Sequence, residues 1–304
     1  MRSFAVWRYV KRHEMQAALR LHSASAENPM AYKTILVHVD ESASAGERIK
    51  IAAAVAMAEQ AHLIGTATTG ASRYLVQARM LAELDPNLRT HLDFLRHRAR
   101  QGLEDFEAAA QKLGLPSYEK RLVDDEAGGG ICLQSRYADL VVIGQNDPKE
   151  LSPVVMPDFA QFVVLNSARP VLVVPYAGRF DNIGTRVLIA WDAGMEAARA
   201  VACALPLLRR AQHVEVVSFD ARSQAMSPGR DLAQYLARHH VHAEVLQRQS
   251  DGPVGDALMS LAGLRGADLL VMGAYGHMRF RELMLGAVTR AVLESMRVPV
   301  LMSA

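Results

Sequence analysis

The sequence predicts an α/β protein made of two tandem parallel-sheet halves. The first observation is repetition. TILVHVD (34–40) reads like RVLIAWD (186–192), ADLVVIG (138–144) like ADLLVMG (267–273), and RPVLVVP (169–175) like VPVLMSA (298–304). Asp40 and Asp192 lie 152 residues apart, while Asp139 to Asp268 and Pro170 to Pro299 both span 129. Two equal offsets in separate segments mark an internal duplication. The second observation is that the recurring segments are continuous apolar runs, as expected of strands buried on both faces of a parallel sheet. The third is that helical periodicities lie between them, giving a βαβαβαβαβ order in each half. A length of 304 residues suits two domains.

Taken in order, the first half opens at Met30 with AYKTILVHVD, a first core strand. The difference between the offsets places 23 extra residues between this strand and ADLVVIG. We assign them to a helical insertion within 72–113. There Leu88, Leu92, Leu95, Ala99, Leu103, Phe106, Ala110 and Leu113 step along one helix face. An earlier helix is expected over Arg73–Leu84, ended before Pro86. The insertion reads as packing rather than chemistry. A linker follows at Tyr176–Gly184. In the second half VLIAW (187–191) is a strand, and Met195–Arg210 a helix burying Ala197, Val201, Ala204, Leu205 and Leu208. VEVVSF (214–219) is a strand, Leu232–Arg238 a helix, and AEVLQ (243–247) a strand. Pro253 and Gly255 open a helix before ADLLVMG, and Thr289–Met296 is a helix before the closing strand VPVLMS.

Composition narrows the function classes. The net charge of +2 is misleading, because residues 1–29 carry +3 and the body −1. A body without a basic bias argues against nucleic-acid binding. No apolar run approaches the ~18 residues of a membrane helix. Residues 1–30 have no signal-peptide core and are treated as an extension, non-native or disordered, ahead of domains at 31–177 and 185–304. Cys132 and Cys203 form no disulfide framework and read as buried small residues in a reducing, cytoplasmic setting.

The segment that could carry chemistry is Gly273-Ala-Tyr-Gly276-His277-Met-Arg279-Phe-Arg281, running on to Gly286-Ala287-Val288-Thr289. Glycines follow a buried strand and precede a helix, and ligands in open α/β sheets bind beyond the carboxyl ends of strands. Glycine allows close backbone approach. The helix start aims free N–H groups and its positive dipole end at an anion. Thr289 offers a hydroxyl, Arg279 and Arg281 charge, and His277 a phosphate contact. The spacing is neither a P-loop nor a dinucleotide fingerprint.

These residues, with the duplicated strands, resemble two tandem universal stress protein domains over 31–304. The family's nucleotide-binding members carry G-x2-G-x9-G-[ST]. Gly273, Gly276 and Gly286 match its glycines, Ala287 stands at its first hydroxyl, and Val288 and Thr289 match the following positions. Asp192 matches the aspartate that ends the family's first strand, and Gly194 replaces a common serine. In the first half Asp40-Glu41-Ser42 matches well, but the loop Gly144-Gln-Asn-Asp147-Pro148 keeps one glycine and sets a carboxylate where phosphate would sit. That half resembles members that do not bind ATP.

The resemblance implies doubly wound five-stranded parallel sheets of order 3-2-1-4-5, of the adenine nucleotide alpha hydrolase-like type. It also implies an intramolecular pseudo-dimer through 171–175 and 300–303, with a further homodimer open. We expect ATP or a related adenine nucleotide, with Mg, in the second half, no catalytic residues, and a regulatory role toward a protein partner. The rival readings are a ligand-free partner-binding module and a slow ATPase. Elsewhere, His239, His240 and His242 read as a solvated helix end and His38 as a satisfied core histidine. Asp139 and Asp268 read as turn residues ahead of their strands. Ser42 and Ser135 lack a nucleophile-elbow setting.

Overall fold

A computed structural model describes residues 31–74, 86–150, 155–219, 228–250, 252–275 and 286–304. The first half runs β1 (Thr34–Val39), α1 (Ala45–Glu59), β2 (His62–Thr68), α2 (Pro86–Lys112), β3 (Tyr118–Val123), α3 (Ala127–Ser135), β4 (Leu140–Gly144), α4 (Phe159–Asn166) and β5 (Val171–Val174). The second runs β6 (Arg186–Ala190), α5 (Met195–Leu208), β7 (His213–Phe219), α6 (Pro228–Arg238), β8 (Glu244–Arg248), α7 (Val254–Arg265), β9 (Leu269–Gly273), α8 (Ala287–Ser295) and β10 (Val300–Ser303). The alternation is the one expected, with ends displaced by a few residues. The extension at 1–30 and most of the Arg73–Leu84 helix lie outside the described residues.

All ten strands form one sheet, ordered β3-β2-β1-β4-β5-β10-β9-β6-β7-β8. Each half has the order 3-2-1-4-5, and its strands are parallel. Register repeats with sequence. Ile35 pairs with Leu140 in β1–β4 and Val187 with Leu269 in β6–β9, the same 152 and 129 offsets. The halves join through antiparallel β5 and β10, where Leu172 pairs with Leu301, Val173 with Val300 and Val171 with Met302. Leu172 and Leu301 are equivalent by the 129-residue offset, so a pseudo-twofold axis passes between them. The strand pairs on its two sides are reciprocal, Val173 with Val300 and Met302 with Val171.

The polar starts of the central strands are held by carboxylates. Asp139 accepts the N–H groups of Lys33 and Thr34 at 2.8 and 2.9 Å. Asp268 accepts those of Gly184, Thr185 and Arg186, each at 3.0 Å. Both aspartates therefore tie the start of β4 or β9 to its neighbour, in keeping with a turn role. One hydrophobic layer spans both halves, taking in Val141 and Val173 of the first, Leu270 and Val300 of the second, and the inner faces of α3, α4, α7 and α8.

The insertion is the β2–β3 crossover. It runs from Thr68 to Tyr118, against Phe219 to Glu244 in the second half. Leu92, Leu103, Phe106 and Ala110 of α2 are buried, while Leu113 reaches the surface. Phe106 lies over Gly65 of β2, where a Cβ would come 2.5 Å from its ring. Gly65→Ala is therefore expected to destabilise the chain by about 1–3 kcal/mol in urea unfolding. Phe106→Leu added to it should recover part of that loss, whereas simple additivity of the two changes would contradict the packing described.

Candidate functional site

The strand order reverses between β1 and β4 and again between β6 and β9, and both candidate sites lie beyond the carboxyl ends of those strands. At the first reversal the strand ends open into a cavity of about 170 Å³. It is lined by His38 and Asp40 at the end of β1, Thr68 at the end of β2, and Gly144 and Gln145 at the end of β4; α2 supplies a wall through Leu95, Arg98, Ala99 and Gly102. The insertion read as packing thus also encloses a cavity.

Arg48 of α1 dominates this site. It is 2% exposed. Its Nε donates to the His38 carbonyl at 2.8 Å and its Nη2 to Asp40 Oδ1 at 2.6 Å. Its guanidinium fills the space beside Gly144, where a Cβ would collide with it. Ser42 donates to Asp40 Oδ1 through its hydroxyl at 2.6 Å and its N–H at 3.0 Å. Burial alone would raise the Asp40 carboxyl. Burial is the largest single influence, but the Arg48 guanidinium, His38 and the Ser42 hydroxyl together outweigh it and hold Asp40 well below the usual carboxylate range. His38 is buried and packs at a tilt against Phe159, ring centroids 4.7 Å apart, but among the described residues its Nδ1 has no hydrogen-bond partner. It is therefore not the satisfied core histidine expected from sequence. Asp40 Oδ2 lies 3.5 Å from it, too far for a sound hydrogen bond. Burial, against the pull of Asp40, drives His38 down to about 4.

The second site has the same frame with different contents. By the 152-residue offset, Ala200 stands for Arg48 and Ala190 for His38. Asp192 is exposed, and its Oδ1 accepts the Gly194 N–H at 2.8 Å. Among the described residues no guanidinium holds it. Gly273 has a packing reason of its own, since a Cβ there would strike the backbone of Glu196 and Ala197 at the start of α5. Gly286 is the N-cap of α8 at φ +60, a conformation natural to glycine, with Tyr275 against it. No side chain caps α8, and Ala287 and Val288 form its first turn. Thr289 is 3% exposed, and its Oγ1 accepts the Tyr275 N–H at 3.2 Å. It thus braces the strand end, a use the sequence did not signal. Tyr275 also has positive φ, 64°, and its buried hydroxyl has no partner among the described residues. Gly276, His277, Arg279 and Arg281 lie outside the described residues.

Gln145, unremarked in the sequence, links the two halves. Its Nε2 donates to the Leu293 carbonyl of α8 at 2.9 Å, and its Oε1 accepts the Tyr176 N–H at 3.2 Å. The equivalent residue in the second half is Ala274, which has no amide to return the contact. The remaining candidates are ordinary. His239 packs on Tyr235 at 4.6 Å, and His240 ends α6 at φ +62. Cys132 and Cys203 are free and only half-buried, and burial pushes the Cys132 thiol up to about 11. Among the described residues no cluster of His, Cys, Asp or Glu could hold a metal, and no helix is long and apolar enough to cross a membrane.

Comparison with known proteins gives a consistent picture. The profile of the universal stress protein family matches residues 31–175 and again 185–303. No curated protein matches the chain. Among solved structures, a universal stress protein from Archaeoglobus fulgidus superposes with a TM-score of 0.68 at 14% identity, over 89% of this chain and 97% of that one. A functionally unknown protein from Pseudomonas aeruginosa does so with a TM-score of 0.58 at 16% identity, over 91% of this chain and 94% of that one. At such identities the likeness is one of fold.

The His38 environment sets a pH dependence. The unfolded histidine takes a proton below about 6.5, which the folded one refuses until about 4. Stability is thus full above pH 6.5 and falls as pH drops toward 4, by on the order of 3 kcal/mol. Asp40 loses its contribution only further down. Urea unfolding across this range should show the loss, and His38→Asn should flatten it. Parallel profiles for the two proteins would contradict the assignment.

Proposed function

The chain belongs to the universal stress protein family, and on that premise we propose that it is a stress-response protein that binds ATP or a related adenine nucleotide in its second half. The observation that carries this reading is the exchange of Arg48 for Ala200. Where the first half ties its strand-end aspartate to a buried guanidinium, the second has a methyl group and an exposed Asp192 that no guanidinium among the described residues holds. Asp192 would serve the ribose or base. The backbone at Gly273, Gly276 and Gly286, the N–H groups of Ala287, Val288 and Thr289, and the side chain of His277 would serve the phosphates. Unpaired amides at a helix start favour an anion.

The proposed role is regulatory. Occupancy would set the segment between Gly273 and Gly286 and hence the position of α8. Gln145 ties the far end of that helix to the first half, so the change could be passed on to that half or to a protein partner.

Protein purified without added nucleotide and then denatured should release ATP or ADP at about one per chain, or else titrate with a single site by calorimetry. Gly286→Val is expected to weaken binding by about tenfold or more with far-UV circular dichroism unchanged. Asp192→Asn should weaken it less. Phosphate release with magnesium should stay at background. Unchanged affinity in Gly286→Val would remove the site assignment. Neither retained nucleotide nor heat on titration would favour the ligand-free partner-binding module instead.

A further inference from the structure

The first-half cavity is unsuited to a polyphosphate yet retains unused binding capacity. It is on the scale of cavities that hold one benzene-sized molecule. Two polar groups lining it have no partner among the described residues. His38 Nδ1 and Thr68 Oγ1 are buried and unbonded, at 1% and 6% residue exposure. Asp40 gives Oδ1 to Arg48 and Ser42, while among the described residues Oδ2 makes no hydrogen bond, lying 3.5 Å from His38 Nδ1. With His38 in its Nε2–H tautomer these are three acceptors lining the cavity, and a primary ammonium carries three N–H donors. The wall supplied by Val39, Leu95, Ala99, Val155 and Phe159 is apolar.

The charge around the cavity has one sign to spare. Arg48 pairs with Asp40 and Arg98 with Glu41. Asp147 and Glu150 line the same cavity, but among the described residues they meet only backbone N–H groups, those of Lys149 and Ala43. An anion entering here would face two uncompensated carboxylates, whereas a cation would be drawn in.

We propose that this cavity is a binding site for a compact organic ammonium compound, with an apolar body of about six to ten non-hydrogen atoms, its N–H groups directed to His38, Asp40 and Thr68. The site stands independently of nucleotide binding in the second half. The two crevices left by the duplication would then take ligands of opposite charge.

The test uses three probes of similar size on the full chain, benzylammonium, benzyl alcohol and benzoate, by calorimetry at low and physiological salt. Benzylammonium should bind at one per chain, about tenfold tighter than the alcohol, and weaken as salt rises. Benzoate should bind least. Asp147→Asn with Glu150→Gln should weaken the cation at least about threefold and leave the alcohol unchanged. Ala99→Trp, which fills the cavity from α2, should abolish binding of both. Because that variant could disturb α2, the double carboxamide variant provides an independent check. Any of four results would overturn the proposal: no binding of benzylammonium, equal or tighter binding of benzoate, indifference to both variants, or competition by ATP.

Discussion

The antiparallel pairing of β5 with β10 is the constraint on which the rest of the structure depends. Strand β5 is four residues long, Val171–Val174, and each is at most 1% exposed. Strand β10 presents Val300, Leu301 and Met302, all fully buried. A half standing alone would leave such a strand as an open edge, apolar on both faces and with half its backbone groups unpaired. Joining the edges satisfies those groups and buries side chains worth about 1.5–3 kcal/mol each. It also extends one hydrophobic layer under α3, α4, α7 and α8. The second half is thus both a copy of the first and the cover for its edge.

Other contacts turn that hinge into a fixed geometry. The Tyr32 hydroxyl donates to the Cys203 carbonyl of α5 at 2.6 Å. Arg210, just after α5, pairs with Glu59 at the end of α1 at 3.2 Å. Lys50 and Glu47 of α1 hold the linker at Asp181 and the Phe180 N–H, at 2.9 and 2.6 Å. Gln145 ties the first half to α8 of the second. The exposed ion pairs add little by themselves. The buried bonds matter more, because an unmet polar group there is expensive.

Within this frame the two halves have diverged in electrostatics rather than topology. The same strand ends carry Asp40 and Asp192. Arg48 makes the first a closed ion pair, whose disruption would leave a buried unpaired charge. Ala200 leaves the second open to solvent. The crossover α2 encloses the first site with a 27-residue helix, where the second half has the 11-residue α6.

Much of this was legible in the sequence. The two offsets foretold the register of β1 on β4 and of β6 on β9, because a duplicated chain that keeps its apolar strands must keep their pairing. The α2 stripe from Leu92 to Ala110 was readable because helix period alone decides which face is buried. Asp139 and Asp268 stood out as turn residues for a local reason, their place before apolar strands. The sequence by itself thus determined the α/β alternation, the duplication and the family. Only the tertiary structure decided that Arg48 lies across the end of β4, that His38 is left with an unmet nitrogen, that Thr289 braces Tyr275 and that Gln145 reaches α8. Each of those facts joins residues distant in the chain, and nothing in local spacing records which side chains a folded sheet brings together.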